Sequence, residues 1–185
     1  MTGEDIRLSR TLSFILRHDP GQFGLQIAAD ASLSLGELVE ALKERGFAKI
    51  TRKRVIDVVK NDPKGRYSLL DDNRRIRANY GHSIEGVHPD YRRANPPQLL
   101  YHGTARRFKE SIMKEGLKSG QRNFVHLTSD FKEAQRVGKR RDPKPLILKI
   151  RAGTAAREGK DFYHCGHKTY LTELIEPEYI DCLEL

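Results

Sequence analysis

Tryptophan is absent from the 185 residues, cysteine and methionine occur twice each, and aromatic side chains make up only 8%. Each scarcity excludes something. Two thiols, Cys165 and Cys182, cannot build the multi-bridge framework of a small secreted domain. So few rings do not advertise a base-stacking RNA platform. No apolar run approaches the roughly 18 residues that a membrane span needs. The opening MTGEDIRLSR is too charged, and lacks the apolar centre, for a secretory signal. The expectation is a globular cytoplasmic protein with no membrane attachment and no evident obligate protein partner.

Acidic residues are in deficit as well. The 34 Lys and Arg outnumber 25 Asp and Glu, for a net charge of +9. Such a balance favours a polyanionic partner, although a basic protein kept in solution by its charge has the same composition. Two familiar phosphate devices are missing: there is no G-x-x-x-x-G-K-[ST] loop and no G-x-G-x-x-G fingerprint. His164, Cys165 and His167 are bunched, but with only distant Cys182 they lack the second ligand pair of a structural zinc site. No metal is expected.

What is present organises into two halves. Leu8, Leu12, Ile15 and Leu16 recur at helical spacing between Ile6 and Arg17. Ser34 and Glu37 make an S-x-x-E capping pattern before Leu38, Val39, Ala41 and Leu42, with Gly46 as a stop. Thr51 can cap a third helix through Val55, Ile56, Val58 and Val59, ended by Asp62-Pro63. Short strands at 66–70 and 75–79 follow, joined by an Asp-Asp-Asn turn. Three helices and then a hairpin is the order of a winged helix. Pro96-Pro97 supplies the boundary, because two prolines continue neither a helix nor a central strand. Beyond it, strands at 99–102, 124–128, 146–151 and 170–171 alternate with helices at 106–115 and 130–137. The expected class is α+β with two lobes: residues 1–95, winged-helix-like, and residues 98–185, a mixed α/β module.

The chemistry-bearing residues sit at element ends. In "FILRHDP" an apolar run stops at Arg17 and His18, where a cation also complements the helix dipole. Arg66 follows Lys64-Gly65, and Arg122 stands in "GQRNFVHLT" ahead of a strand in which His126 alternates with Phe124. "YHGT" places His102 at a strand end before Gly103 and Thr104, where bare backbone could approach a ligand. Singly, each is an ordinary surface or core residue. Together they suggest a phosphate clamp, since the planar guanidinium offers paired donors to phosphate oxygens.

The motifs "LSRTLSFILRHDP", "KGRYSLL", "IRANYGHS", "LLYHGT", "GQRNFVHLT" with "VGKRRDPKPLIL", and "YLTELIEPEYI" stand in order along the chain. In them the sequence resembles the RNA 2′-phosphotransferases, also called tRNA 2′-phosphotransferases, over nearly its whole length. The resemblance implies a winged-helix lobe followed by a lobe of the ADP-ribosyltransferase fold, which binds NAD without a Rossmann fingerprint. It implies a metal-independent reaction in which an internal RNA 2′-phosphate attacks NAD and expels nicotinamide. The ADP-ribosylated RNA 2′-phosphate then resolves to 2′-hydroxyl RNA and ADP-ribose 1″,2″-cyclic phosphate. The family's catalytic set falls on Arg17, His18, Arg66 and Arg122, three phosphate clamps and a histidine that assists the second step. Its NAD site falls on His102, Gly103, Thr104, His126, Leu127, Thr128 and Tyr170, and its RNA contacts on His82 and Ser83.

The sequence departs from the family at 164–171. His164-Cys165 stands for the usual Arg-Ser, and His167-Lys168-Thr169-Tyr170-Leu171 for Asn-Gly-Val-Trp-Leu. Two other readings share some of these residues. The same clamp could take a terminal phosphate of RNA or DNA and cap it with ADP-ribose. Alternatively, the chain could be a non-enzymatic winged-helix nucleic-acid-binding protein, although such a reader has no need of the Arg17-His18 pair away from its recognition helix. The natural RNA, tRNA from splicing or another, is not written in the sequence.

Overall fold

A computed structural model describes residues 2–183. They form an α+β protein with antiparallel sheets, divided into two compact units, the first ending at Asp90 and the second beginning at Tyr91. Among the described residues no helix is long and apolar enough to cross a membrane.

The first unit opens with α1 (Gly3–Arg17). Its start lies a turn ahead of the expected Ile6, because Thr2 and Asp5 form a reciprocal capping box that apolar spacing does not reveal. Leu8, Leu12, Ile15 and Leu16 are fully buried, worth about 1.5–3 kcal/mol each. They pack with α2 (Leu35–Glu44) and α3 (Arg52–Lys60), capped as expected by Ser34 and Thr51. The hairpin consists of β2 (Tyr67–Leu70) and β3 (Arg75–Ala78), and Asp71, Asp72 and Asn73 turn it in the left-handed region. Two elements were not foreseen: a 3₁₀ turn, Gly21–Phe23, and β1 (Ser32–Ser34), which adds to β3 and gives the order β1-β3-β2. Three residues are too few to show a period of two.

The second unit is built on a six-stranded sheet in the order β11-β7-β4-β6-β9-β8. The expected strands are β4 (Leu100–Thr104), β6 (Val125–Thr128), β7 (Leu146–Ile150) and β9 (Thr169–Thr172). The edge strands β8 (Tyr163–His164) and β11 (Ile180–Leu183), and a ladder of β5 (Leu117–Lys118) with β10 (Leu174–Ile175), are additional. The expected helix at 106–115 is a 3₁₀ turn, Arg106–Phe108, running into α4 (Lys109–Glu115). Next come α5 (Phe131–Gly138), capped by Asp130, and the unforeseen α6 (Ala152–Arg157). One sheet face packs Leu100, Leu127, Leu146, Leu148 and Ile150 against residues of α4 and α6. The other carries α5, which lies directly on β4.

Candidate functional site

Arg17 ends α1, and the order of the chain explains its surroundings. Asp19-Pro20 stops the helix, so the guanidinium is held by what comes later, Tyr80 to Ser83. The Tyr80 ring lies 5.0 Å from its Cζ, and the Ser83 amide donates to its carbonyl at 2.9 Å. Gly81, at φ +95°, lies so close that a Cβ there would stand 3.2–3.4 Å from Arg17 Cδ, Nε and Cζ. Nε and Nη2 of Arg17 are buried with no hydrogen-bond partner among the described residues. These two nitrogens form one edge of the guanidinium, the edge that meets an oxyanion with parallel N–H bonds. Burial, then the neighbouring Arg66, lowers the pKa of the group, yet an arginine stays charged at any physiological pH.

Arg66 uses the same edge differently. Its Nε and Nη2 donate to the Asp62 carboxylate at 2.6–3.1 Å, and its backbone amide donates there at 2.6 Å. Burial opposes ionisation of Asp62, but these bonds outweigh it and hold the carboxyl below the usual range. Sequence reasoning took Asp62 only as a helix stop. The signal was a carboxylate four residues before Arg66, across a Pro-Lys-Gly turn. Arg66 is therefore a fixed, half-neutralised cation beside Arg17, not a second unpaired one.

His18 is exposed, and its Nδ1 lies 2.9 Å from Ser83 Oγ. Ser83, expected at RNA, thus ties the ends of both catalytic candidates through its amide and its hydroxyl. His82, expected beside it at RNA, points inward. It is 2% exposed, with neither ring nitrogen partnered among the described residues. Desolvation, then the nearby Arg17 charge, pushes it down to about 4, so the imidazole is neutral.

In the second unit, β4 and β6 pair at a single position, Tyr101 with Thr128. Beside it His102 Nδ1 donates to the His126 carbonyl at 2.8 Å, which fixes the tautomer and leaves Nε2 as an acceptor. Burial first, and Arg122 as well, lower the His102 pKa and keep it neutral, which places Arg122 in its electrostatic neighbourhood. Directly opposed antiparallel residues share a face. The registers therefore put His102 and Thr104 with Leu127 and Tyr170, and Gly103 with His126 and Thr128 on the reverse side. Leu127 is buried in the core, and Tyr170 packs at its edge with its ring 4.8 Å from His164. His126 Nδ1 donates to the Phe124 carbonyl, and Thr128 Oγ1 accepts from the Asp130 amide before α5. The bareness of Gly103 serves packing: a Cβ would fall 1.9 Å from the Ala134 carbonyl oxygen of α5. Thr169, at the departure from the family pattern, pairs with Thr128 and so lies on the face opposite Tyr170.

Among the described residues no three His, Cys, Asp or Glu side chains are placed to hold a metal ion. Cys165 is buried and its thiol pushed up to about 12, while Cys182 lies 3.5 Å from the sulfur of Met113.

The arrangement suits a phosphate-bearing substrate, and comparison with known proteins points the same way. The chain is 40% identical over 185 residues to a probable RNA 2′-phosphotransferase of Thermococcus kodakarensis, covering all of this chain and 99% of that one. It is 40% identical over 174 residues to one of Burkholderia lata, covering 94% and 89%. A third, from Acetivibrio thermocellus, is 38% identical over 175 residues, covering 94% of each. Residues 3–174 match the family described as RNA 2′-phosphotransferase, Tpt1/KptA. An unpaired guanidinium edge beside a held imidazole, and a match spanning both units, agree: the chain belongs to the RNA 2′-phosphotransferase family.

Proposed function

We propose that this chain transfers an internal RNA 2′-phosphate to NAD, through an ADP-ribosylated RNA 2′-phosphate, giving 2′-hydroxyl RNA, nicotinamide and ADP-ribose 1″,2″-cyclic phosphate. The observation that carries the reading is the Arg17 edge, two parallel donors desolvated and unpaired. Leaving such donors unmade costs about 1–3 kcal/mol each, more for a charged group. A phosphate recovers that energy on binding. Arg66, immobilised by Asp62, adds fixed positive potential beside it, and Arg122 adds its charge in the second unit. Cationic donors that need no reorganisation are what a phosphate requires both as nucleophile and as charge builds in transesterification. His18, with Nδ1 at Ser83, has Nε2 as the nitrogen that can meet a ribose hydroxyl and move its proton.

NAD supplies an electrophilic ribose carbon with nicotinamide as leaving group. The residues fit it: Nε2 of the half-buried His102 is an acceptor suited to a ribose hydroxyl, and Thr104, Leu127 and Tyr170 share its face. Gly103, His126 and Thr128 would act through backbone and by holding the strands. On this reading the first unit, residues 1–95, is a winged-helix lobe, supported by its three helices and β1-β3-β2 sheet. The second, residues 98–185, is an ADP-ribosyltransferase-like lobe, supported by its antiparallel sheet with strands that part at His102. The test incubates the protein with 2′-phosphorylated RNA, with and without NAD and with chelator. ADP-ribose 1″,2″-cyclic phosphate and nicotinamide should form only with NAD, and their formation should persist in EDTA. Inorganic phosphate released without NAD, or a stable ADP-ribose cap on a terminal phosphate only, would sink it.

A further inference from the structure

The second unit carries a group of cations that the reaction does not use. The 3₁₀ turn Arg106–Phe108 is joined to the loop after α5 by Arg106, whose amide and Nε donate to Asp142 at 3.1 and 3.3 Å. This bond places Arg106 and Arg107 beside Lys139, Arg140, Arg141 and Lys144, six cations in two neighbouring segments. Several other cations of this unit are neutralised: Arg93 by Asp161, Lys118 by Glu115, Arg136 by Glu133, Lys149 and Arg151 by Asp181, Lys160 by Glu176, Lys168 by Asp130. Arg107, Lys139, Arg140, Arg141 and Lys144 are exposed, and no described carboxylate pairs with them. The acidic side chains of Glu158, Asp161, Glu173, Glu176 and Glu178 gather instead around a cavity of about 440 Å³.

Within the basic group stands an aromatic ring. Phe108 is 41% exposed, and the Arg107 guanidinium lies over it at 4.7 Å. An exposed ring capped by a planar cation is a platform on which an unpaired base stacks, with phosphates on the flanking cations. A dinucleotide diphosphate carries two phosphates and needs far fewer cations. An acidic protein would answer the charge but has no use for the stacked pair. We propose that this surface binds the RNA chain away from the reacting phosphate, single-stranded at Phe108, and that it gives the enzyme preference for long RNA over short. This rests on RNA being the substrate.

The test compares wild type with Arg140→Ala/Arg141→Ala/Lys144→Ala and with Phe108→Ala, all exposed side chains whose loss leaves the backbone bonds of the loop intact. Substrates are a short 2′-phosphorylated oligonucleotide and a full-length tRNA transcript carrying one 2′-phosphate. Binding of the same transcript without the 2′-phosphate is followed by fluorescence anisotropy across a salt series. The triple variant should raise KM for the transcript about tenfold and lower the salt slope by roughly 2, near 0.7 per lost contact to single-stranded RNA. Phe108→Ala should weaken transcript binding at least about fivefold, as loss of one stacked base does. In both variants kcat and the KM for the oligonucleotide and for NAD should stay put. A rise in KM for NAD would assign the cations to the dinucleotide, and an unchanged transcript KM would assign them to nothing in this reaction; either overturns the proposal. The anisotropy arm needs no turnover, so an inactive wild type that still binds transcript through these residues would fail the proposed reaction and not this surface.

Discussion

Arg17 and Arg66 show how one side-chain type does two jobs that composition cannot distinguish. Both offer the Nε–Nη2 edge; in Arg66 a buried carboxylate fills it, and in Arg17 nothing in the described residues does. Arg17→Lys should therefore fail as a rescue, because an ammonium is a point charge without that edge. Losing one charge-assisted contact costs about 1.5–3 kcal/mol, so turnover should fall roughly ten- to a hundredfold. Steady-state kinetics on 2′-phosphorylated RNA checks it, and wild-type rates in Arg17→Lys would remove the clamp. His18 should behave differently. If its proton work lies in the second step, His18→Ala should slow decay of the ADP-ribosylated RNA more than its formation, and that species should build up on a gel. Equal slowing of both steps would make His18 another phosphate anchor.

At the scale of elements, β4 joins the two sides of its sheet. His102 and Thr104 face the core side while Gly103, between them, receives α5. A methyl group at 103 would press on the Ala134 carbonyl, and backbone cannot swing aside as a side chain can. Gly103→Ala should cost at least about 3 kcal/mol of stability, the upper range for overpacking. Chemical unfolding measures this, and a near-neutral variant would show that α5 can slide. This contact also marks where sequence reading stops. Helices α1 to α3, the hairpin and the central strands were legible because apolar period, caps and turn residues are local signals. The two-residue strands and β1 were not, since so short a run has no period, and α6 (AGTAAR) has no apolar stripe. At the site, Arg17 and His18 were legible as cations ending an apolar run. The Asp62 lock on Arg66, the inward turn of His82 and the helix lying over Gly103 were not. Each is a contact between segments, and the sequence alone writes only the segments.

For the molecule as a whole, a charge of +9 means that folding gathers cations, and the protein pairs some with carboxylates, leaves others exposed, and buries the Arg17 edge next to the neutral His82 imidazole. The last device ties stability to pH. His82 titrates at about 4 in the fold, against an ordinary 6.5 when unfolded. Between those values the unfolded chain holds a proton that the folded chain does not, so stability rises with pH across the window and falls as acid is added. From about pH 7 to pH 5 this one group should remove roughly 2 kcal/mol, at 1.36 kcal/mol per unit of difference. His102, lowered for the same reason of burial, acts in the same direction. Denaturant unfolding of wild type and His82→Gln at both pH values isolates the His82 share as the difference between their slopes. Should the variant not fold, a proton NMR titration of the wild-type His82 ring gives the same answer directly. A ring that takes up its proton near 6.5 is in contact with water, and the inward-facing imidazole against Arg17 would then be wrong.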